Sequence, residues 1–280
     1  MRSWITDAQN TWCPGCGNFS IQHALKAVLD DLADEGHPPE TFVLVSGIGC
    51  HAKIADYMNM NTFYSIHGRG TAAAAGIKLA RPDLTVISCA GDGDAYAEGL
   101  DHLIFGAKRN TDITVIVHDN RVYGLTTGQY TPTSKMGFPG RSTPAGVRES
   151  PINPLEVMLA SGATFVARGY TRQMDHLKSI LKAAILHRGF SFVDVLQICA
   201  TYNNLTDYYN ERIYLLDGND TGDFDAAFRT AREWDYSSDA PIALGIFYRQ
   251  EAPSDIWGPP GTVSAEQRRE EIGRILQEKI

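Results

Sequence analysis

Short apolar runs rich in β-branched residues alternate with helical stretches from Asn18 to Tyr202, and this alternation most narrows what the chain can fold into. Runs at 42–46, 84–88 and 113–118 are each bounded by Gly, Pro, Asn or Asp and separated by helical stretches, the pattern of buried parallel strands. Helical patterns at 154–161 and 174–187 and strand-like runs at 164–166 and 190–196 continue the series. Such an order predicts an α/β fold built on a doubly wound parallel sheet. Ahead of the first run, Ile21, Ala24, Leu25, Val28, Leu29 and Leu32 recur at helical spacing from Asn18, and Gly36 with Pro38 and Pro39 stops the pattern. Past Tyr202 polar and aromatic residues take over, with an Asp-Gly-Asn-Asp turn at 217–220, a Gly-Pro-Pro-Gly turn at 258–261 and one further strand expected at 242–248. The chain therefore divides into a main domain, residues 1–204, and a C-terminal extension, residues 205–280, of the kind that packs over a partner subunit.

At 280 residues the chain can bury a large core. It has no run of about 18 apolar residues to span a bilayer, and its first residues lack the apolar stretch of a secretory signal, so the expected compartment is the reducing cytoplasm. A net charge of −8 without a basic cluster argues against nucleic acid as a partner.

The strongest local signal is Gly91-Asp92-Gly93-Asp94, directly after the second run and before a helical stretch beginning near Tyr96. Ligands in open α/β sheets sit at the carboxyl ends of strands, and glycines let backbone amides approach a phosphate closely. Asp92 offers a hard carboxylate to Mg²⁺, and Asn120, at the end of the next run, adds a neutral oxygen. Gly-Asp-Gly also makes ordinary turns, but with Asn one strand later it resembles the motif shared by thiamine-diphosphate enzymes. There Asp, Asn and a carbonyl two residues further on hold the metal, which here is Val122. Thr126, in the glycine- and hydroxyl-rich loop that follows, is placed to bond a phosphate oxygen. No nucleotide loop of the Gly-x-Gly-x-x-Gly or Gly-Lys-Ser/Thr type accompanies the site.

Five cysteines do not close a disulfide framework. Cys13-Pro-Gly-Cys16 suits a redox dithiol, a zinc knuckle or two ligands of an iron–sulfur cluster. Only a short polar segment precedes it, which disfavours the dithiol. Cys50 follows the first run and Cys199 lies just past the run 190–196, so both can reach the same rim as residues 91–94. Cys89 ends a buried strand and reads as a core residue. Zinc and iron–sulfur both accept four thiolates, and the spacing leaves them open.

Taken in order, Trp-Cys-Pro-Gly-Cys-Gly-Asn, Ser-Gly-Ile-Gly-Cys, Ile-His-Gly-Arg, Gly-Ile-Lys-Leu-Ala, Gly-Asp-Gly-Asp and Tyr-Gly-Leu-Thr-x-Gly-Gln-x-x-Pro-Thr-Ser resemble the β subunit of 2-oxoacid:ferredoxin oxidoreductases, nearest to the two-subunit 2-oxoglutarate enzymes. The resemblance covers residues 8–205 strongly and the extension more loosely. It implies a diphosphate-binding domain of the thiamine-enzyme type, with Cys13, Cys16, Cys50 and Cys199 as ligands of a [4Fe-4S] cluster and Asp92, Asn120 and Val122 as ligands of Mg²⁺. Ile48, Gly49, His67, Gly91, Gly93, Asp94, Leu125 and Thr126 then fall to the cofactor.

The same resemblance implies the chemistry. The thiamine ylid attacks the 2-oxo carbon, CO₂ leaves, and electrons pass singly through the cluster to ferredoxin before coenzyme A takes the acyl group; the reverse direction fixes CO₂. A separate α subunit supplies the pyrimidine end of the site, so an α₂β₂ assembly is expected. His51, Lys53, His67 and Arg69 flank the region, and a cation among them suits the distal carboxylate of 2-oxoglutarate. Two departures keep pyruvate and branched-chain 2-oxoacids open as substrates: Thr127 stands where relatives carry Lys, and Gly70 where Pro follows His-Gly-Arg. The rival is a non-redox thiamine enzyme half whose cysteines bind structural zinc.

Overall fold

The computed structural model describes residues 3–253 and 264–278. Helix α1 (Asn18–Asp34) precedes strand β1 (Phe42–Ser46), a short helix α2 (Ile54–Tyr57) and strand β2 (Asn61–Tyr64). Then follow α3 (Gly70–Ala80), β3 (Thr85–Gly91), α4 (Leu100–Lys108), β4 (Thr114–Asp119), α5 (Pro154–Ala160), β5 (Phe165–Tyr170), α6 (Met174–Leu186) and β6 (Ser191–Leu196). The extension contributes α7 (Thr206–Arg212), β7 (Ile213–Leu215), α8 (Phe224–Arg232), β8 (Ile242–Arg249) and α9 (Ala265–Gln277). Among the described residues, these strands form one eight-stranded sheet in the order β2-β1-β3-β4-β6-β5-β8-β7. The first six strands are mutually parallel, β8 joins β5 antiparallel, and β7 runs parallel to β8.

Both faces of the sheet are covered, which is why its central strands read as unbroken apolar runs. Phe42, Leu44, Ile87, Cys89 and Ile116 point to the face of α1 and α6, where Ile21, Leu25 and Leu29 meet Leu177 and Leu181. Val43, Val45, Val86, Val115 and Val117 point the other way, onto α3, α4, α5 and α8. Each fully buried Leu, Ile or Val contributes roughly 1.5–3 kcal/mol relative to exposure. A third cluster, Tyr170, Tyr209, Trp234, Tyr236, Ile242 and Leu244, seats the extension on β5 and β6.

The expected helix ends as anticipated, with Gly36 at φ 99° just past it. The strand expected at 164–166 instead runs through Ala167, Arg168 and Gly169 to Tyr170. The apolar pattern breaks at Arg168, yet that side chain is buried among aromatic rings of the extension. The strand expected at 242–248 is β8, and β7 beside it goes unannounced because Tyr214 and Leu215 are exposed. The Gly-Pro-Pro-Gly turn lies outside the described residues. No helix among the described residues is long and apolar enough to cross a membrane.

Candidate functional site

From β1 the chain runs to β2 on one side and then through α3 to β3 on the other, so the strand order reverses between β1 and β3. The crevice outside such a switch point is where open α/β sheets bind ligands. Here it is a cleft lined by Ile48, Gly49, Cys50 and His51 after β1, His67 after β2 and residues 91–94 at the end of β3; His118, Asn120 and residues 122–126 complete it. Missing side chains make room. A Cβ on Gly91 would meet the His51 imidazole at 2.7 Å, and one on Gly93 would overlap the Tyr123 ring. The helix expected near Tyr96 is in fact a π-helical turn, Gly93–Ala97, with α4 starting only at Leu100. Such turns recur at functional sites.

Asp92, Asn120 and Val122 all reach this cleft. Thr133 Oγ1 donates to Asp92 Oδ2 at 3.0 Å. Burial pushes the Asp92 carboxyl up to about 6, against the pull of the Thr131 and Thr133 hydroxyls. Next to it, burial and the charges of Asp194 and Asp92 raise Asp119 well above the carboxylate range, and its Oδ2 has no hydrogen-bond partner among the described residues. Burial makes a carboxylate's charge costly, and a cation beside it would offset that cost. Asn120 Oδ1 accepts the Val122 N–H at 3.0 Å and keeps a second lone pair. A carboxylate, an amide oxygen and a backbone carbonyl are hard donors, so this set fits Mg²⁺ completed by phosphate oxygens.

Asp94 is occupied by the protein itself. Its Oδ1 accepts the Gly68 N–H at 2.7 Å, its Oδ2 lies 3.4 Å from His51 Nε2, and His67 Nδ1 stands 3.7 Å from Oδ1. Burial would raise this carboxyl, but His51 and the amides of Gly68 and Ile48 together hold it below the ordinary range. It thereby joins the loops after β1 and β2. His118, at the floor, pairs its Nδ1 with Asn18 Oδ1 at 2.9 Å, and burial pushes its imidazole well below the usual value. Sequence reasoning missed His118, Tyr123 and Gly124 as lining residues; only their position at or just after the end of β4 could have signalled them.

Other expected residues stand differently. Leu125 and Thr126 line the cleft, with the Thr126 hydroxyl donating to Gln129 Oε1 at 2.6 Å. Lys53 Nζ donates to Thr11 Oγ1 at 2.9 Å and Arg69 Nη1 to the Glu98 carbonyl at 2.7 Å, and neither lines the cleft.

The cysteine loop is bound to two segments of the rim. Trp12 Nε1 donates to the Cys50 carbonyl at 2.6 Å, and Gly17 N–H to the Ile198 carbonyl at 3.0 Å. A Cβ on Gly124 would stand 3.6 Å from the sulfurs of both Cys50 and Cys199. Burial, reinforced by Cys50, Cys199 and Cys13, raises the Cys16 thiol to about 11. Cys50 thus lines the cleft with Cys199 beside it across Gly124, and the loop carrying Cys13 and Cys16 is bonded next to both. Among the described residues no three His, Cys, Asp or Glu side chains close around one point as a single metal ion requires. Cys89 is fully buried in the core, and burial pushes its thiol up to about 12.

Residues 47–195 match the family model described as thiamine pyrophosphate enzyme, C-terminal TPP binding domain. Residues 199–255 match the model for the C-terminal part of the pyruvate ferredoxin oxidoreductase beta subunit. The chain is 42% identical over 262 residues to 2-oxoacid:ferredoxin oxidoreductase 1, subunit beta, of Aeropyrum pernix, covering 89% of this chain and 80% of that one. It is 41% identical over 203 residues to 2-oxoglutarate oxidoreductase subunit KorB of Mycobacterium tuberculosis, covering 72% of this chain and 54% of the relative. Its structure is similar to that of the 2-oxoglutarate:ferredoxin oxidoreductase from Magnetococcus marinus with 2-oxoglutarate, coenzyme A and succinyl-CoA bound. That similarity has a TM-score of 0.85 at 32% identity and covers 98% of this chain and 89% of the other.

Proposed function

This chain belongs to the β subunits of the 2-oxoacid:ferredoxin oxidoreductases, and from that membership we propose that it is the diphosphate-binding and electron-handling half of a 2-oxoglutarate:ferredoxin oxidoreductase, complete only with an α subunit. The observation that carries the reading is that Asp92, Asn120 and Val122 share one switch-point cleft with Cys50, with Cys199 beside Cys50 across Gly124. Thiamine diphosphate supplies, when bound, the carbanion chemistry that lets a 2-oxoacid lose CO₂. Asp92, Asn120 and Val122 would hold Mg²⁺ against its diphosphate, while Gly91 and Gly93 admit the phosphates close to the backbone. Cys13, Cys16, Cys50 and Cys199 would hold a [4Fe-4S] cluster, the exit for single electrons to ferredoxin. Coenzyme A is the acyl acceptor, and the same residues serve the reverse, carboxylating direction.

The names of the KorB relatives and the ligands of the Magnetococcus enzyme support 2-oxoglutarate as substrate. His67 inside the cleft, with Lys53 and Arg69 flanking it, are the proposed substrate-side residues. The exposed surface of the extension and the open side of the cleft are where the α subunit would pack, in an α₂β₂ assembly working in the cytoplasm.

The test is anaerobic co-purification with the α subunit and a panel of 2-oxoacids with coenzyme A and a viologen dye. Brown protein containing iron that reduces the dye fastest with 2-oxoglutarate is the expected result. Colourless protein with stoichiometric zinc overturns the redox reading, and full-rate oxidation by this chain alone overturns the composite site.

A further inference from the structure

Two residues outside the proposed ligand set are buried beside it, Thr133 at 0% exposure and Arg121 at 1%. Thr133 Oγ1 lies 3.0 Å from Asp92 Oδ2 and 2.9 Å from Asp119 Oδ1, so the single proton of one hydroxyl is shared between the two carboxyls and joins the end of β3 to the end of β4. Its backbone carbonyl accepts from Arg121 Nε at 2.6 Å, and the same guanidinium donates to the Tyr236 carbonyl and lies 5.4 Å from the Trp234 ring. Arg121 sits between Asn120 and Val122, the other two donors. Arg121 and Tyr236 both adopt left-handed backbone, φ 62° and 63°. Residues with side chains hold that conformation only where their surroundings over-determine it.

We infer that Thr133 is a positioning residue for the metal: its hydroxyl aims the Asp92 carboxylate, and its carbonyl, through Arg121, fixes the turn that presents Asn120 and Val122. This rests on the assignment of those three residues to Mg²⁺. Hydroxyl donors keep a carboxylate ligand in one orientation, and loss of such a supporting bond weakens metal affinity about 10–100-fold. Valine has nearly the shape of threonine but no proton to donate.

The experiment follows uptake of thiamine diphosphate by the purified complex with its α subunit, by calorimetry, as Mg²⁺ is titrated. In Thr133→Val the Mg²⁺ concentration for half-maximal uptake is expected to rise about 10–100-fold, and in Thr133→Ser to return close to wild type. The melting temperature of the Mg²⁺-free complex reports any general loss of structure, and Thr133→Ala replaces the valine variant if that does not assemble. A Thr133→Val midpoint equal to wild type, or a rise that serine does not reverse, overturns the inference alone. Wild-type complex that takes up no thiamine diphosphate with Mg²⁺ overturns the proposed function and this inference with it.

Discussion

The Arg168 guanidinium on β5 stands 3.8 Å from the Asp194 carboxylate on β6, with neither side chain reaching solvent. Tyr96 and Tyr236 hydroxyls donate to the carboxylate at 2.7 and 2.6 Å. The guanidinium lies among the rings of Trp234, Tyr236 and Phe247, so the pair fastens the extension to the sheet. Burial raises the Asp194 carboxyl, and Arg168 with the two tyrosines offsets only part of that. Removing one partner of a buried pair costs about 3–5 kcal/mol because the other charge is left uncompensated. Arg168→Met is therefore expected to lose that much in urea unfolding, and Arg168→Met with Asp194→Asn to recover much of it. Equal losses in the single and double variants would show that the stranded charge is not the cause.

Gly68 has φ 68°, gives its N–H to Asp94, and packs so closely on the Glu98 carbonyl that an added Cβ would overlap it. Gly68→Ala is expected to destabilise by more than about 1 kcal/mol, from left-handed backbone and the clash together. It should also shift the loop carrying His67. A thermal melt unchanged by this substitution would contradict the packing at this point.

The thiols divide by environment. Cys50→Ser and Cys199→Ser, at the rim, are expected to lose iron and the visible absorbance of the anaerobic protein. Cys89→Ala, within the core facing α1 and α6, should keep both while losing about 1 kcal/mol of stability to the small cavity. Iron and sulfide assays on the three variants decide it. Iron lost from the Cys89 variant but kept by the others would reverse the assignment.

His187 is buried, with Nε2 2.8 Å from Thr164 Oγ1, and that hydroxyl donates to Asn110. Burial first, then Arg249, push its imidazole below the ordinary value, against the weaker opposing pull of Asp112 and Glu251. The unfolded chain therefore binds the proton more readily than the folded one. The stability from the neutral ring is fully present above about pH 6.5, the unfolded value, and is lost as pH falls through the lowered folded value. Melting temperatures between pH 8 and 5 are expected to fall more steeply in wild type than in His187→Gln. Parallel curves would rule out this residue as the source.

The strands β1, β3, β4 and β6 were legible because burial on both faces leaves an unbroken apolar run. β2 was not: Asn61, Thr62, Phe63 and Tyr64 are all exposed on the sheet's edge, so neither alternation nor an apolar run marks them. Arg168 ended the predicted β5 early, since its burial depends on aromatic residues far along the chain. In the site, Asp92 and Asn120 announced themselves by chemistry at strand ends. Thr133 and Arg121 did not, because an ordinary loop threonine and a buried arginine acquire their roles only from partners that folding brings together.

The bond from Arg121 to the Tyr236 carbonyl spans 115 residues of sequence, which gives the site a place in time. When the segment carrying Asn120 and Val122 leaves the ribosome, the second of the two carbonyls that hold Arg121 has not yet been made, nor has β8, which closes the exposed edge of β5. A nascent chain can thus assemble its central strands before the turn at Asn120–Val122 gains its last anchor. The anchor of this turn and the strand that covers β5 are therefore both made late, by one stretch of the chain.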